Sequence, residues 1–276
     1  MHFSIEQFWE LRDYIYKKTG LKFEDTKLFF FKRRIENLLE NHKFTAFEEF
    51  VRYIRFYDND GTVFRDLIGE ITTHETYFFR EFEQLQGFAE VCLPEIIEEK
   101  IKKYDNTLNI WSAACSTGEE AYTLAIILRE MLDDYQKWKI HIYATDIDDK
   151  SLEIAKKGIY TDRSVKFMPP DYQEKYIFRK GCGLSVIPEL KKNITFDYLN
   201  FMDAEQMQSV RCYDFIFCRN ALIYFDDDSR REVVMNFYQS LNSNGYLFLG
   251  HSESINRITN LFKMKRKEGH ILYYKE

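Results

Sequence analysis

Proline and glycine are scarce in this sequence, at 4 and 11 of its 276 residues. This scarcity excludes long disordered or low-complexity segments. No apolar run approaches the length of a membrane span, and the N-terminal stretch MHFSIEQFWE has no signal-peptide core. We therefore expect a cytoplasmic protein without direct membrane insertion. Its length suits one large domain or two unequal ones.

Cysteine pairs with metal-binding or redox spacing are also missing. The five cysteines form no CxxC pair, and no cluster of cysteine and histidine has zinc-site spacing. We expect no metal, no disulfide, and thiols that are reduced and mostly buried. The net charge of −6 gives no support to a polyanion-binding role, so nucleic acid is not an expected partner.

Apolar residues at helical spacing run from residue 4 to about 70. Ser4 and Thr45 are predicted helix N-caps, and Gly20 is predicted to end a helix. This pattern predicts a small all-helical domain over residues 1–72.

From residue 108 onward, short apolar runs alternate with helical segments. Six of these runs are predicted strands: LNIWSA, KIHIYATD, ITFDYL, YDFIFC, GYLFLG and HILYYK. Strands that alternate with helices of about ten to fifteen residues predict right-handed βαβ units and a mostly parallel sheet. The segment LFKMKR, which precedes HILYYK, predicts an antiparallel hairpin at the end of that sheet.

An insertion over about 165–193 interrupts the alternation of strands and helices. It contains Pro169-Pro170 and aromatic-rich runs around Gly181 and Gly183. A structureless loop of this length is uncommon in a compact domain. We therefore expect a small β-hairpin appendage here.

The stretch STGEE (116–120) joins the first predicted strand to a predicted helix. Ligands bind at the carboxyl ends of parallel strands, and the small residues of this turn let a ligand approach the backbone. Glu119 and Glu120, however, place negative charge where a phosphate would lie. The turn thus disfavours a dinucleotide or nucleoside triphosphate. Taken alone, it is explained equally well by two acids that complement the helix dipole.

The second predicted strand, KIHIYATD, ends on Asp146. An acid at this position, about twenty-five to thirty residues after the first turn, is placed to accept both hydroxyls of a ribose. The alternative is that Asp146 or Asp148 only caps the next helix. Together, the acidic turn and the ribose-type acid favour an adenosyl ligand without phosphates, such as S-adenosylmethionine.

Five motifs resemble those of the CheR-type chemotaxis receptor methyltransferases and occur in that family's order: ITTHETYFFRE (71–81), IWSAACSTGEEAY (110–122), ATDID (144–148), FCRNALIYF (217–225) and GYLFLGHSES (245–254). The resemblance covers nearly the whole chain. It implies a Rossmann-like α/β sheet of the class I SAM-dependent methyltransferases, a helical N-terminal domain for receptor docking and an inserted β-subdomain. It also implies a linker and cofactor-contacting helix over 73–92 and a methyltransferase domain over 93–276.

The matching positions imply a site for S-adenosylmethionine, with S-adenosylhomocysteine as product. The residues implied to contact the cofactor are Thr76, Arg80, Glu120, Asp146, Asn200, Phe201, Arg219 and Asn220. His74 stands where the family often has Asn and is included, because imidazole can still form one hydrogen bond. Arg80, close to the transferable methyl group, and Tyr224 are the implied catalytic residues.

The implied reaction methylates glutamate side chains on the cytoplasmic helices of chemoreceptors. A glutamate carboxylate has a pKa near 4.3 and is a nucleophile at neutral pH, so the reaction requires no general base. We expect Arg80 to orient the carboxylate and Tyr224 to donate a hydrogen bond to it. The alternative for Tyr224 is a role in core packing.

The partner predictions rest on two surfaces. The basic run Lys32, Arg33 and Arg34 is expected to dock on acidic receptor helices, and a solvated face is the alternative. The hairpin in FRKGCGLSVIPEL is shorter than in relatives that bind a receptor pentapeptide tether, so we expect tether-independent methylation by a monomer recruited to membrane receptor arrays. Two other functions stay open: methylation of a different protein, small molecule or RNA, and non-catalytic sensing of the cofactor. The acidic balance counts against RNA.

Overall fold

The computed structural model describes residues 3–73 and 75–276. Its N-terminal part is the predicted helical domain, with helices α1 (Ile5–Thr19), α2 (Leu28–Asn41), α3 (Phe47–Phe56) and α4 (Thr62–Ile71). Ser4 caps α1 as predicted, because its hydroxyl accepts a hydrogen bond from the Gln7 N–H while its own N–H donates to the Gln7 side chain. Gly20 ends α1 in the left-handed conformation.

The predicted N-cap at Thr45 is wrong by one position. The residue that precedes α3 is Ala46, which has no side-chain acceptor. Both the N–H and the hydroxyl of Thr45 donate to the carboxylate of Glu49. The acid in the first turn thus reaches back beyond the cap, so the polar signature in the sequence lies one residue before the helix start.

The second domain contains every predicted strand. The strands are β1 (Thr107–Ala113), β2 (Lys139–Asp146), β3 (Ile159–Tyr160), β4 (Ile177–Lys180), β5 (Gly183–Val186), β6 (Ile194–Tyr198), β7 (Tyr213–Cys218), β8 (Leu241–Leu249), β9 (Lys263–Lys267) and β10 (His270–Tyr274). Seven of them form one sheet in the order β6-β2-β1-β7-β8-β10-β9. The first five in that order pair in parallel, and β10 pairs antiparallel with both β8 and β9. The mostly parallel sheet and its C-terminal hairpin are therefore confirmed.

Nine helices of the described part of this domain surround the sheet: α5 (Phe82–Gln86), α6 (Leu93–Lys102), α7 (Glu119–Met131), α8 (Asp149–Lys157), α9 (Asp162–Val165), α10 (Pro170–Tyr176), α11 (Pro188–Lys191), α12 (Ala204–Gln208) and α13 (Asp227–Ser240). The helix expected to contact the cofactor starts only at Phe82. Phe79 and Glu81 adopt positive φ angles of 58° and 52°, which interrupt a helix before that point. Across both described ranges, no helix is long and apolar enough to cross a membrane.

The insertion folds as the expected β-subdomain. Strands β3, β5 and β4 form a separate antiparallel sheet in that order. Its aromatic residues pack against the segment that precedes α5: Phe78 meets Tyr160 edge-on at 5.1 Å, and Phe79 stacks on Tyr172 at 5.7 Å between ring centroids. The Phe78 N–H also donates to the Ser164 carbonyl. The insertion thus supports the residues of the first motif.

The parallel strands bury side chains on both faces of the sheet. On β1, Leu108 and Ile110 point to one buried cluster, while Trp111 and Ala113 point to the other. The cluster that contains Trp111 continues without a break into the core of the helical domain. The two domains therefore share one hydrophobic core along this face.

Polar contacts align the helical domain with the carboxyl edge of the sheet. The N–H of Lys22 donates to the Tyr224 carbonyl at 2.9 Å, next to an isolated bridge between Leu21 and Phe225. Glu70 of α4 accepts from Lys150 of α8 at 2.8 Å. The helical domain is thereby joined directly to the chain segment that contains Tyr224.

Candidate active site

The nine predicted cofactor-binding and catalytic residues that lie in the described part of the chain line a single pocket. They are Thr76, Arg80, Glu120, Asp146, Asn200, Phe201, Arg219, Asn220 and Tyr224. The pocket encloses about 1030 Å³ of space, part of it open to solvent, and lies beyond the carboxyl ends of β1, β2 and β7. Here the strand order reverses direction, which is where ligands bind in open α/β sheets. His74 lies outside the described residues.

The turn after β1 brings the backbone close to the pocket. Ala114, Ser116 and Gly118 all have positive φ, at 63°, 50° and 91°. A Cβ on Gly118 would lie 2.7 Å from the Ala155 Cβ, so only glycine lets α7 start this close to α8. The chain is thus folded tightly enough for backbone N–H groups to face a ligand.

Asp146 fixes that turn from the neighbouring strand. Its Oδ2 accepts from the Ser116 N–H at 2.7 Å, and its Oδ1 accepts from the Asp148 N–H at 3.0 Å. A carboxylate oxygen can accept more than one hydrogen bond, which is the chemistry that a ribose hydroxyl requires. Asp148 is the cap of α8, since it accepts from the N–H groups of Lys150 and Ser151. Asp148 therefore fills the capping role that the sequence left open, and the ribose role of Asp146 stays a prediction.

Arg219 is the buried cation of the site, with 3% of its side chain exposed. It donates to Glu120 at 3.3 Å and to Glu81 at 3.4 Å, and its Nε donates to Gln84 at 3.0 Å. A further donor reaches the carbonyl of Arg80. The guanidinium thus connects three separate chain segments, and its charge is compensated within the protein.

The two carboxylates beside Arg219 respond differently to their surroundings. Burial raises the pKa of Glu120, against the charge of Arg219 and a 2.7 Å hydrogen bond from Ser112. Burial also opposes ionisation of Glu81, but hydrogen bonding from Asn220 and the charge of Arg219 prevail, and the pKa of Glu81 is lowered. An additional positive charge in the pocket therefore stabilises the ionised form of Glu120 more than that of Glu81.

Two buried polar atoms on the pocket wall have no partner among the described residues. They are the hydroxyl oxygen of Ser116 and the Oδ1 of Asn220. Buried polar atoms are normally hydrogen-bonded, so an unpaired one requires an explanation. An acceptor without a donor among the described residues, in a pocket that is also lined by the acid Glu120, fits a ligand that carries an ammonium group. The pocket therefore suits S-adenosylmethionine, which has one ammonium and one sulfonium centre.

Left-handed backbone is concentrated around this pocket. Five non-glycine residues with positive φ belong to its three loops: Phe79, Glu81, Ala114, Ser116 and Asn220. Such conformations cost about 1–3 kcal/mol each and persist only where the surroundings enforce them. Their clustering makes the loops of the pocket a strained part of the fold, as the loops of functional sites often are.

Arg80 and Tyr224 occupy the outer part of the pocket. The Arg80 guanidinium donates to the Glu75 carbonyl, lies 5.8 Å from the centre of the Tyr77 ring and forms no ion pair within the described ranges. The Tyr224 hydroxyl lies 2.9 Å from the Thr73 hydroxyl and its residue is 36% exposed. Both side chains thus make only exchangeable polar contacts with the segment 73–77.

Asn200 and Phe201 line the pocket, but their side chains also serve the fold. The Asn200 amide donates to the Lys18 carbonyl at 2.8 Å, and its Oδ1 accepts from the Met202 N–H. The Phe201 ring packs edge-on against Trp111 at 5.9 Å. These residues shape one wall of the pocket and attach it to α1.

The predicted docking residues lie on α2, away from the pocket. Arg34 pairs with Glu70 of α4 at 3.4 Å and keeps 43% of its side chain exposed. Arg33 is exposed and Lys32 is half-buried, and neither forms an ion pair with any described residue. All three basic side chains are thus at least partly accessible, and their docking role stays a prediction.

The cysteines offer no nucleophile to the pocket. Burial raises the pKa of Cys115 and Cys218 well above the usual range, and that of Cys92 to about 12. Over residues 3–73 and 75–276, no group of three or more His, Cys, Asp or Glu side chains is arranged to hold a metal ion.

Sequence reasoning missed Glu81, Gln84 and Glu253. Glu81 and Glu253 stand inside quoted motifs, directly after Arg80 and within GHSES. Glu253 accepts from the Asn220 N–H at 2.8 Å, and Glu81 accepts from the Asn220 amide at 3.0 Å. The sequence signal that could have identified Glu81 and Glu253 was the presence, in each motif, of an acid that had no predicted role.

Comparison with known proteins identifies both domains. The model of the CheR methyltransferase all-alpha domain matches residues 6–72, and that of the CheR methyltransferase SAM binding domain matches residues 74–270. The second match confirms the predicted cofactor and the class I methyltransferase fold.

Relatives with similar sequences extend over nearly the full chain. Chemotaxis protein methyltransferase 2 of Vibrio cholerae is 38% identical and aligns with 97% of this chain and 92% of its own. The chemotaxis protein methyltransferase of Borreliella burgdorferi is 34% identical over 90% and 87%. Magnesium protoporphyrin IX methyltransferase of Synechocystis, solved with bound SAM, is 14% identical over 80% and 93%, at a TM-score of 0.35. The assignment rests on the sequence matches alone.

Replacing Arg219 with methionine leaves Glu81 and Glu120 without their counter-charge. We expect Arg219→Met to lower the free energy of unfolding by about 3–5 kcal/mol, since removal of one partner leaves uncompensated buried charge. The loss is smaller at about pH 5 than at about pH 7.5, because protonation of the carboxylates removes that charge. Urea unfolding at both pH values measures it.

The matched control is Arg231→Met, which removes a half-exposed arginine paired with Asp228 at 3.4 Å. This change costs about 1 kcal/mol or less. Equal losses in the two variants would contradict the role given to Arg219.

Proposed function

Because the chain belongs to the CheR methyltransferase family, we propose that it transfers a methyl group from S-adenosylmethionine to glutamate side chains on the cytoplasmic helices of chemoreceptors. The product is a γ-glutamyl methyl ester. S-adenosylmethionine-dependent methylation in chemotaxis follows from the family. The receptor glutamate and the residue roles below are the proposal. The observation that carries it is the presence of Arg80, which forms no ion pair with any described residue, and of the Tyr224 phenol in the pocket that suits the cofactor.

The inner part of the pocket is assigned to the cofactor. Asp146, which also accepts from the Ser116 and Asp148 N–H groups, accepts the ribose hydroxyls. Asn220 Oδ1 accepts from the ammonium group, and Glu120 contributes negative charge beside it. Thr76, Asn200 and Phe201 complete the walls. His74 stays assigned to the cofactor on the basis of its motif alone.

The charges of the pocket favour the methyl donor over the product. Glu120 and Glu81 together outnumber the one cation between them, Arg219. S-adenosylmethionine supplies an electrophilic methyl group on a positively charged sulfur, and this charge disappears on transfer. The excess of carboxylate near Arg219 therefore attracts the cofactor in its reactive state.

The outer part of the pocket is assigned to the substrate glutamate. Its carboxylate is ionised at neutral pH, so the protein has to position it and need not remove a proton. Arg80 exchanges its contact with the Glu75 carbonyl for a charge-assisted hydrogen bond to the carboxylate. Tyr224 exchanges Thr73 for the second carboxylate oxygen. Both roles are positioning of the nucleophile in line with the methyl group.

Transfer of radioactive label tests the function. The protein is incubated with methyl-tritiated S-adenosylmethionine and membranes that contain chemoreceptors. We expect base-labile, volatile label on the receptor, because a methyl ester hydrolyses to methanol. Arg80→Ala and Tyr224→Phe should each lower kcat by about 100-fold or more with little change in cofactor affinity, since both act on the substrate.

The other outcomes are equally specific. Cofactor binding without transfer to any protein would favour a sensor, and base-stable label would indicate a different acceptor group. Wild-type rates in both variants would contradict the roles of Arg80 and Tyr224.

Substrate docking is assigned to the exposed basic surface of α2. Lys32 and Arg33 stand next to Phe29, which is 82% exposed, and together they form a basic and apolar patch suited to an acidic amphipathic helix. Arg34 belongs to the same basic surface and is left unchanged in the test because it also pairs with Glu70. We expect Lys32→Glu/Arg33→Glu to raise the receptor KM about tenfold or more at low salt, without changing cofactor affinity.

The control reverses two charges elsewhere. Lys139 and Lys192 are exposed and lie near the amino ends of β2 and β6, at the edge of the sheet opposite the pocket. Lys139→Glu/Lys192→Glu should leave the KM unchanged, and an equal rise in both double variants would reject a specific patch.

A receptor without its last five residues should be methylated at the same rate as the intact receptor, as the short hairpin predicts.

A further inference from the structure

The turn that follows β8 forms hydrogen bonds with the loop that contains Tyr224, the proposed catalytic tyrosine. Glu253, in this turn, is half-buried, and both of its oxygens accept backbone hydrogen bonds. Oε2 accepts from the N–H groups of Gly250 at 2.6 Å and Asn220 at 2.8 Å, and Oε1 accepts from the Ile223 N–H at 3.3 Å. The acid thus holds two points of the loop 219–225 at once.

Gly250 leaves the space that the hydrogen bonds of Glu253 require. A Cβ at this position would lie 2.7 Å from Glu253 Oε2 and 2.8 Å from the backbone nitrogen of Asn220. Real Cβ atoms do not approach other atoms so closely, so any larger residue displaces the acid or the loop. In the motif GHSES, the absence of a side chain at Gly250 therefore leaves the space that the Glu253 carboxylate occupies.

The conformation of the loop depends on such an anchor. Asn220 has φ of 59°, a left-handed conformation that costs free energy in the absence of compensating contacts. From the other side, Arg230 donates to the carbonyls of Leu222 and Phe225, and the Lys22 N–H donates to the Tyr224 carbonyl. The carbonyl groups of Leu222, Tyr224 and Phe225 thus accept hydrogen bonds from α13 and the helical domain. Glu253 accepts hydrogen bonds from N–H groups of the same loop.

We propose that Glu253 is a positioning residue for methyl transfer: it fixes Asn220 against the cofactor and Tyr224 against the substrate carboxylate. It touches neither reactant, and acts through the backbone of the loop 219–225. The part that concerns Tyr224 rests on the proposed function, whereas the part that concerns Asn220 requires only cofactor binding.

Glu253→Gln tests this role, because the amide keeps the size of the side chain but turns one acceptor oxygen into a donor that faces N–H groups. We expect kcat to fall by about 100-fold, the effect of a displacement near 1 Å at the reacting groups. The Kd for S-adenosylhomocysteine should rise about threefold to tenfold through Asn220. The control Glu232→Gln removes an exposed acid of α13 and should change neither quantity.

A double-variant cycle separates positioning from a general loss of stability. In the Tyr224→Phe background, Glu253→Gln should lower kcat much less than in the wild type, because the group that it positions is already absent. Full additivity, or a lower melting temperature with unchanged kcat per cofactor-binding site, would overturn the proposal.

Gly250→Ala provides the second variant if Glu253→Gln does not fold. It keeps the charge and inserts a methyl group between the acid and Asn220, so the same losses in kcat and cofactor affinity are expected. Wild-type values of both would overturn the proposal. If the wild-type protein does not methylate receptors, the proposed function fails, and the S-adenosylhomocysteine affinities of the two variants still decide whether Glu253 positions Asn220.

Discussion

The active-site pocket depends on the buried ion-pair network of Arg219. This guanidinium joins Glu120 at the start of α7, Glu81 before α5 and the end of its own strand, β7. A buried charge of this kind costs several kcal/mol in desolvation and is tolerated only when its partners surround it. Because the partners come from different segments, the network fixes the relative positions of the first, second and fourth motifs. The carboxylates remain in excess and leave the pocket ready for a cationic ligand.

Around this network, three structural units contribute to one site. The parallel sheet supplies the turn after β1 and Asp146, and the inserted β-subdomain supports Phe78 and Phe79 before α5. The helical domain supplies the N–H of Lys22, which holds the Tyr224 carbonyl. The N-terminal domain is therefore part of the active-site structure as well as the proposed docking surface. A receptor helix bound to α2 would lie on a domain that contacts the tyrosine loop directly.

The sequence was sufficient for the strands, because parallel strands buried on both faces are continuous apolar runs such as YDFIFC. The motifs predicted nine described residues that line one pocket. Long-range contacts could not be predicted from the sequence. Glu81 lies 138 residues before Arg219, and no local pattern encodes their pairing. The same limit applies to the ion pair of Arg34 with Glu70, which lies 36 residues further along the chain. The segment 73–81 was predicted in part as helix, since apolar spacing does not reveal the left-handed residues Phe79 and Glu81.

The central claim is that the charges of the pocket are arranged before the cofactor binds. A crystal structure of the protein with S-adenosylhomocysteine tests it most directly. We predict that Arg219 keeps its contacts with Glu120 and Glu81, that Asp146 accepts from the ribose hydroxyls, and that the ligand ammonium donates to Asn220 Oδ1. An Arg219 that leaves both carboxylates to bind the ligand, or a ligand bound outside this pocket, would contradict the account.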